Sequence, residues 1–267
     1  MNKQKLASAT SAAPKISRRS VLAGGVIALA APALARNRSL RVGVPNAYPF
    51  ARMRGARAEG IIADPVKYAF SQSKYSLEFV QMQLDNIYRS VENGSLDGGL
   101  VMTPVGGRGA RATYLDPVVQ EYSVLLVRRD YEVPIQSIED LSKVRLGGRL
   151  GFFYRSLPLD LAESIKRNAT DAETIRDLLI DNIDVAIVGG IKVMHELQAE
   201  GVMLYLRETG LAVGQVGLGA AMSNIVGATV DRNRLNAALT SYLNSSRWPL
   251  LLQQHASSTL VRTPRLL

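Results

Sequence analysis

Two histidines and no cysteine are present in this chain. Those counts remove most metal and thiol chemistry before any fold is considered. His195-Glu196-Leu197-Gln198-Ala199 opens like the zinc-binding His-Glu-x-x-His helix, where two imidazoles share one helical face. Ala199 stands where the second ligand belongs. His195 is therefore expected on a helix surface, and no metal and no cofactor are expected. A strained Gly-x-Ser-x-Gly nucleophile turn is absent. Gly147-Gly148 and Gly214-x-x-Gly217-x-Gly219 match neither a phosphate-cradling loop nor a dinucleotide fingerprint, so these glycines are assigned to turns. Arg52, Arg54 and Arg57 read as a solvated basic loop rather than a nucleic-acid patch.

The formal charge of +9 overstates the basic character of the working chain. Lys3, Lys5, Lys15, Arg18 and Arg19 lie in an N-terminal segment without an acid, and removing those five from +9 leaves +4. Such a mild excess lacks the strong basic footprint of a nucleic-acid binder and suits an anion-handling cleft equally well. The N-terminal segment reads Ser17-Arg18-Arg19-Ser20-Val21-Leu22, then an apolar run to Leu34 and Ala33-Leu34-Ala35. A basic stretch, an apolar stretch and a small-x-small cut site make an export signal over 1–35. The paired arginines resemble the twin-arginine type, with an ordinary secretory signal as the alternative. The apolar run falls short of the ~20 residues that span a bilayer. The mature form is thus expected to be periplasmic, not membrane-embedded and monomeric. With no cysteine it must be stabilised by its core rather than by disulfides.

The elements that would position any site alternate in type. Alternation at 40–44 and the runs at 77–80, 100–102, 122–127, 150–153, 185–188, 202–206 and 216–222 predict strands. Asp64-Pro65 reads as the start of a helix. Leu84, Ile87, Tyr88 and Val91 give one apolar helical face, which Gly94 ends. Ser137-Ile138-Glu139-Asp140 and Thr170-Asp171-Ala172-Glu173 read as capping boxes. Helices are also predicted over 157–168, 191–199, around 235–242 and from Pro249 to about Ala256. Strands alternating with helices imply an α/β fold.

In this order the segments resemble the family 3 periplasmic solute-binding proteins, the polar amino acid receptors of ABC importers. The resemblance rests on Leu40-Arg41-Val42-Gly43-Val44 followed by Tyr48-Pro49-Phe50, on Leu96-Asp97-Gly98, and on Thr103-Pro104 with Arg108. It continues through Tyr114-Leu115-Asp116-Pro117, Leu125-Leu126-Val127-Arg128, Asp184-Val185-Ala186 and the 217–222 strand. It implies a two-lobed α/β fold of the type II binding-protein kind, with two crossover strands and a ligand cleft closed by a hinge. Lobe one would comprise 36–127 and 222–267, and lobe two 128–221.

The resemblance also implies a site. Arg108 would clamp a ligand carboxylate, because a planar guanidinium offers two parallel hydrogen bonds to two carboxylate oxygens. Arg111 is the rival in the same glycine-rich stretch. Thr103 would stand nearby, and Tyr48 and Phe50 would form either an aromatic wall or part of the core. Arg155-Ser156 matches the lobe-two pair whose backbone N–H groups help hold the carboxylate. The family aspartate for a ligand ammonium has no counterpart in Val188-Gly189-Gly190-Ile191. A small anionic or carboxylate-bearing solute is therefore expected, delivered to an ABC permease. One alternative is an accessory or sensory protein that contacts another periplasmic protein, such as a quinoprotein dehydrogenase system. The other is a cyclohexadienyl dehydratase-like enzyme, for which Glu173 or Glu208 would have to supply the acid.

Overall fold

The computed structural model describes residues 38–104, 111–152, 154, 156–256 and 264–267. The expected export signal and its cut site lie outside these residues. In chain order the strands are β1 (Arg38–Val44), β2 (Arg52–Arg54), β3 (Arg57–Glu59), β4 (Tyr75–Gln81), β5 (Gly98–Met102), β6 (Ala112–Tyr114), β7 (Val119–Arg128), β8 (Leu146–Arg149), β9 (Lys166–Asn168), β10 (Val185–Gly189), β11 (Leu206–Ser223) and β12 (Arg265–Leu266). The helices are α1 (Ala63–Ser71), α2 (Leu84–Glu92), α3 (Ile138–Leu141), α4 (Leu159–Ser164), α5 (Asp171–Leu179), α6 (Lys192–Ala199), α7 (Asn224–Gly227), α8 (Arg232–Leu243) and α9 (Arg247–His255).

Two parallel three-stranded portions of one continuous ten-stranded sheet form the two halves. One is ordered β4-β1-β5 and the other β10-β8-β9. The long strands β7 and β11, antiparallel to each other, join them. β11 pairs with β7 along its first part and with β5 and β6 at its end, while β7 pairs with β10. This is the two-lobed α/β architecture with two crossover strands expected from the sequence.

The apolar runs explain why these strands are central. In β7, Val124 and Leu126 enter one buried cluster while Leu125 and Val127 enter another. In β10, Ala186 and Val188 alternate in the same way with Val185 and Ile187. A strand covered on both faces must be apolar throughout, and each such side chain contributes roughly 1.5–3 kcal/mol on burial. The larger cluster runs from Val42 and Leu100 in the first half to Ile183, Val188 and Leu197 in the second.

Two aspartates tie the strand starts far from the strand ends that matter below. Asp97 accepts the Arg41 N–H at 2.8 Å, and Asp184 accepts the Arg145 N–H at 2.8 Å in the other half. Arg145 also binds Asp184 and Asp181 through its guanidinium. The Ser137 capping box forms as read, whereas at Thr170 only the forward half does, the Glu173 carboxylate reaching the Ala169 N–H instead of the Thr170 N–H. Asp140 accepts the Ser137 N–H at 3.1 Å, and Thr170 Oγ1 accepts the Glu173 N–H at 3.1 Å. Thr170→Ala leaves that donor unsatisfied and is expected to cost about 1 kcal/mol in urea unfolding, with Thr170→Ser restoring most of it.

Several segments differ from the sequence expectation. Helix α1 starts at Ala63, and the Asp64 carboxylate reaches back to the Gly60 N–H at 3.1 Å instead of capping forward. The strand expected at 150–153 lies at β8 instead, because Gly151 at φ 80° turns the chain and Leu150 is exposed. The helix expected over 157–168 stops at Ser164. Ile165 is extended, and β9 pairs with β8 while Lys166 meets the buried Asp177 at 2.8 Å. The strands at 202–206 and 216–222 are a short 3-10 turn at Val202–Leu204 and one 18-residue strand, β11. Gly210 at φ 79° and two register shifts interrupt its alternation. The basic stretch at 52–57 is a hairpin, β2-β3. Gly55 at φ 61° supplies the left-handed residue that its two-residue turn needs.

Candidate functional site

In open α/β sheets, ligands lie beyond the carboxyl ends of the strands, where the strand order reverses. The first half reverses at β1/β5, since the chain goes from β1 to β4 on one side and then to β5 on the other. The second reverses at β8/β10. The residues to inspect therefore follow β1, β5, β8 and β10. These are the segments holding Tyr48, Thr103, Ser156 and Gly189-Gly190-Ile191.

Thr103 directly follows β5 and is 7% exposed. Its backbone is held by Tyr88 of α2, whose hydroxyl accepts the Thr103 N–H at 2.8 Å and donates to the Thr103 carbonyl at 3.3 Å. Tyr88 reaches that point because Ile87 and Val91 on the same helical face are fully buried. Thr103 Oγ1 has no hydrogen-bond partner among the described residues. Buried hydroxyls are almost always paired, so an orphan requires an explanation.

Tyr48 sits in the tight turn after β1, where Ala47 and Ala51 bridge. Phe50, two residues on, is buried in the core cluster. Tyr48 is half-buried and collects polar neighbours from three elements. The Arg52 guanidinium of β2 lies 4.0 Å from its ring centroid. His195 of α6 packs edge-to-face at 5.0 Å, and His255 at the end of α9 does so at 5.7 Å. Tyr48 Oη is 3.3 Å from His255 Nδ1, and His255 Nε2 is 3.7 Å from an Asp64 carboxylate oxygen of α1. Burial lowers the proton affinity of both imidazoles. Arg52 also pairs with Glu59 of β3 at 2.7 Å, which holds that carboxyl below its usual range. His195, expected on a helix surface, is instead half-buried against a tyrosine from the other half of the molecule.

Glu121 of β7 is the group that sequence reasoning missed. It is 8% exposed, and its carboxyl accepts the Ile191 N–H at 3.1 Å. Helix α6 has no side-chain cap of its own, so a strand 70 residues away supplies it. A Cβ on Gly189 would come within 2.5 Å of Glu121 Oε1, so the glycine makes room for the carboxyl. Burial pushes the Glu121 pKa up to about 8, against the lowering effect of the Ile191 and Lys192 N–H groups. The acid absent from Val188-Gly189-Gly190-Ile191 is thus present in space, contributed by a crossover strand. The register sets its distance from Thr103. Met102 pairs with Gly219 on one edge of β11 and Val119 with Leu218 on the other. Thr103 is therefore about level with Val119, two strand spacings away, and Glu121 lies two residues further along β7, roughly 12 Å from Thr103 across the sheet.

Arg108 and Arg155, the expected carboxylate ligands, lie outside the described residues. Arg111 is exposed just before β6, and Ser156 is exposed in the turn before α4. Of the two acids considered for elimination chemistry, Glu173 is taken up at the start of α5, accepting the Ala169 N–H at 2.9 Å. Glu208 is exposed on β11 opposite Leu126. Among the described residues no three histidine, aspartate or glutamate side chains converge as a metal site, and no helix is long and apolar enough to cross a membrane.

No family model matches the chain, and no curated protein matches it. Solved structures do. A histidine kinase sensor domain with similarity to periplasmic binding proteins superposes with a TM-score of 0.64 at 17% identity, covering 82% of this chain and 96% of that one. The arginine-, lysine-, histidine-binding protein ArtJ from Geobacillus stearothermophilus gives 0.60 at 17%, covering 82% and 95%. The BvgS periplasmic domain from B. pertussis gives 0.65 at 18%, covering 82% of this chain and 43% of that one. The likeness is one of fold: the chain has the two-lobed periplasmic-binding-protein fold.

Proposed function

We propose that the chain is an exported periplasmic solute-binding protein. In this reading its lobes, 36–127 with 222–267 and 128–221, close over a small carboxylate-bearing solute and hand it to an ABC-type permease. The observation that carries this reading is the orphan hydroxyl of Thr103, buried beyond the end of β5 at a point of strand-order reversal. A solute oxygen or nitrogen supplies the missing partner. The resemblance assigns the carboxylate clamp to Arg108, five residues after Thr103 in sequence, with Arg155 and Ser156 of lobe two as its further candidates. Glu121 changes the solute class expected from the sequence. With an acid near the α6 start, a cationic group on the solute gains a counter-charge, so an amino-acid-sized zwitterion fits as well as a simple organic acid. The arginine-, lysine-, histidine-binding neighbour supports that widening.

Thr103→Val tests the reading, because it removes an unpartnered hydroxyl without changing shape. Stability without solute is expected to stay level or rise. Affinity in a calorimetric panel of amino acids and dicarboxylates should fall about tenfold for the solute that binds. A panel with no binder, or unchanged affinity in Thr103→Val, counts against it.

A second reading, a sensory protein, is favoured by the contact of Tyr48 with His195. The chain's own side chains already join the two halves there, and one of the structural neighbours is a histidine kinase sensor domain.

A further inference from the structure

We propose that Tyr48 and His195 form an acid-released clasp that holds the two halves of the molecule together without any solute. The geometry is specific. Tyr48 belongs to the β1 half and His195 to α6 of the β10 half, and their rings meet edge-to-face at 5.0 Å. Tyr48 is not free to turn away. Arg52 covers its ring at 4.0 Å, and its hydroxyl is 3.3 Å from His255 Nδ1. When that nitrogen is unprotonated, Tyr48 donates to it, which leaves the Nε2–H facing Asp64. His255 is 5% exposed and anchors this arrangement from α9.

The charged groups around each imidazole set the response to acid. His195 faces Tyr48 and Arg52 from the other half, with Glu196 beside it on its own helix; Lys192 engages Glu196 at 2.6 Å. His255 faces Asp64 and Lys67 of α1, Glu59 of β3, and Arg52 and Tyr48. The carboxylates favour the charged imidazoles, but burial and Arg52 outweigh them, so both rings bind protons less readily in the clasp than in water. A base with a lowered pKa favours the closed form fully above its free value near 6.5. That preference is lost as pH falls through 6.5 toward the clasped value. Below that range a protonated His195 sets a second cation against the tyrosine that Arg52 already covers.

The absence of cysteine makes the test clean. The exposed residues Ser76 of β4 and Arg176 of α5 lie on opposite halves, and Ser76→Cys with Arg176→Cys carry a spin-label pair on the full chain. The label distance, measured with no solute added, is expected to be short at about pH 7.5 and longer at about pH 5, with the change centred at or below 6.5. His195→Phe keeps a ring against Tyr48 without a titrating nitrogen, so it is expected to stay closed at both values. His195→Ala is expected to stay open at both. With only two histidines in the chain, imidazole NMR follows each one separately, and in Tyr48→Ala the His195 titration should rise to about 6.5. A distance that ignores pH overturns the clasp. So does acid opening that persists in His195→Phe, or a His195 titration that Tyr48→Ala leaves in place. Because no solute enters these measurements, their failure leaves the binding reading to be judged by the Thr103 experiment alone.

Discussion

Glu121→Gln is expected to abolish most of the pH dependence of stability between about pH 6.5 and 8, above the range where the two histidines titrate, and to make the protein more stable than the parent at the upper end. The Glu121 carboxyl is buried against Gly189 and the start of α6, and its pKa stands at about 8 rather than the ordinary 4.5. Between those values the unfolded chain has released the proton and the folded chain has kept it. Stability contributed by this group is therefore fully present below 4.5, falls steadily to about 8 and is level beyond. The fall is on the order of 2–5 kcal/mol, set by a shift of a few units at about 1.4 kcal/mol each. Gln keeps an acceptor for the Ile191 N–H and does not ionise, so above the histidine range urea unfolding of the variant should give nearly the same midpoint at about pH 6.5 and pH 8, while the parent falls. Matching slopes for parent and variant would show that Glu121 titrates normally. The same group links stability to the proposed function. A cationic group beside Glu121 draws its proton off, so an ammonium-bearing solute should bind more tightly as pH rises toward 8 and release a proton on binding, whereas a plain dicarboxylate should show neither effect.

The fold was legible where burial leaves a mark on composition. Leu125-Leu126-Val127 and Val185-Ala186-Ile187-Val188 are apolar on both faces because helices cover both faces, and any reading of periodicity finds them. β9 left no such mark. It is a three-residue edge strand of Lys166, Arg167 and Asn168, held by pairing with β8 and by the Lys166–Asp177 contact. The full length of β11 was hidden by glycines that break its alternation. The site was legible only in part. Thr103 and Tyr48 follow strands in recognisable segments. Glu121 and His255 are single residues whose partners lie 70 and 207 positions away. No local pattern encodes that Glu121 would cap a helix from another strand, or that His195 would meet a tyrosine across the molecule. One signal was available: a helix start at Ile191 with no capping side chain of its own implies that a cap arrives from elsewhere.

The turn that aims Tyr48 yields the second large effect. Gly60→Ala is expected to destabilise the protein by about 3–5 kcal/mol, while Gly55→Ala, a few residues earlier, should cost only about 1 kcal/mol. Both glycines have positive φ, so conformational preference alone does not separate them. Space does. A Cβ at Gly55 meets nothing within 4 Å, whereas at Gly60, with φ at 130°, it would stand 2.5 Å from the Phe50 carbonyl oxygen and 2.7 Å from that of Pro49. Those two carbonyls accept the Ile62 and Ile61 N–H groups, each at 2.9 Å, and so pin the segment that carries Tyr48 to the start of α1. Neither oxygen can yield without breaking a buried hydrogen bond. The strain must either unfold the protein or shift the turn and pull Tyr48 out of register with His195 and His255. Urea unfolding of the two variants at one pH separates the cases, and equal losses would mean that the close approach at Gly60 carries no weight. Where Gly60→Ala still folds, the His195 and His255 resonances should both move. The residue that sets the position of the tyrosine is thus a glycine with no chemistry of its own, required because two backbone oxygens occupy the space a side chain would need.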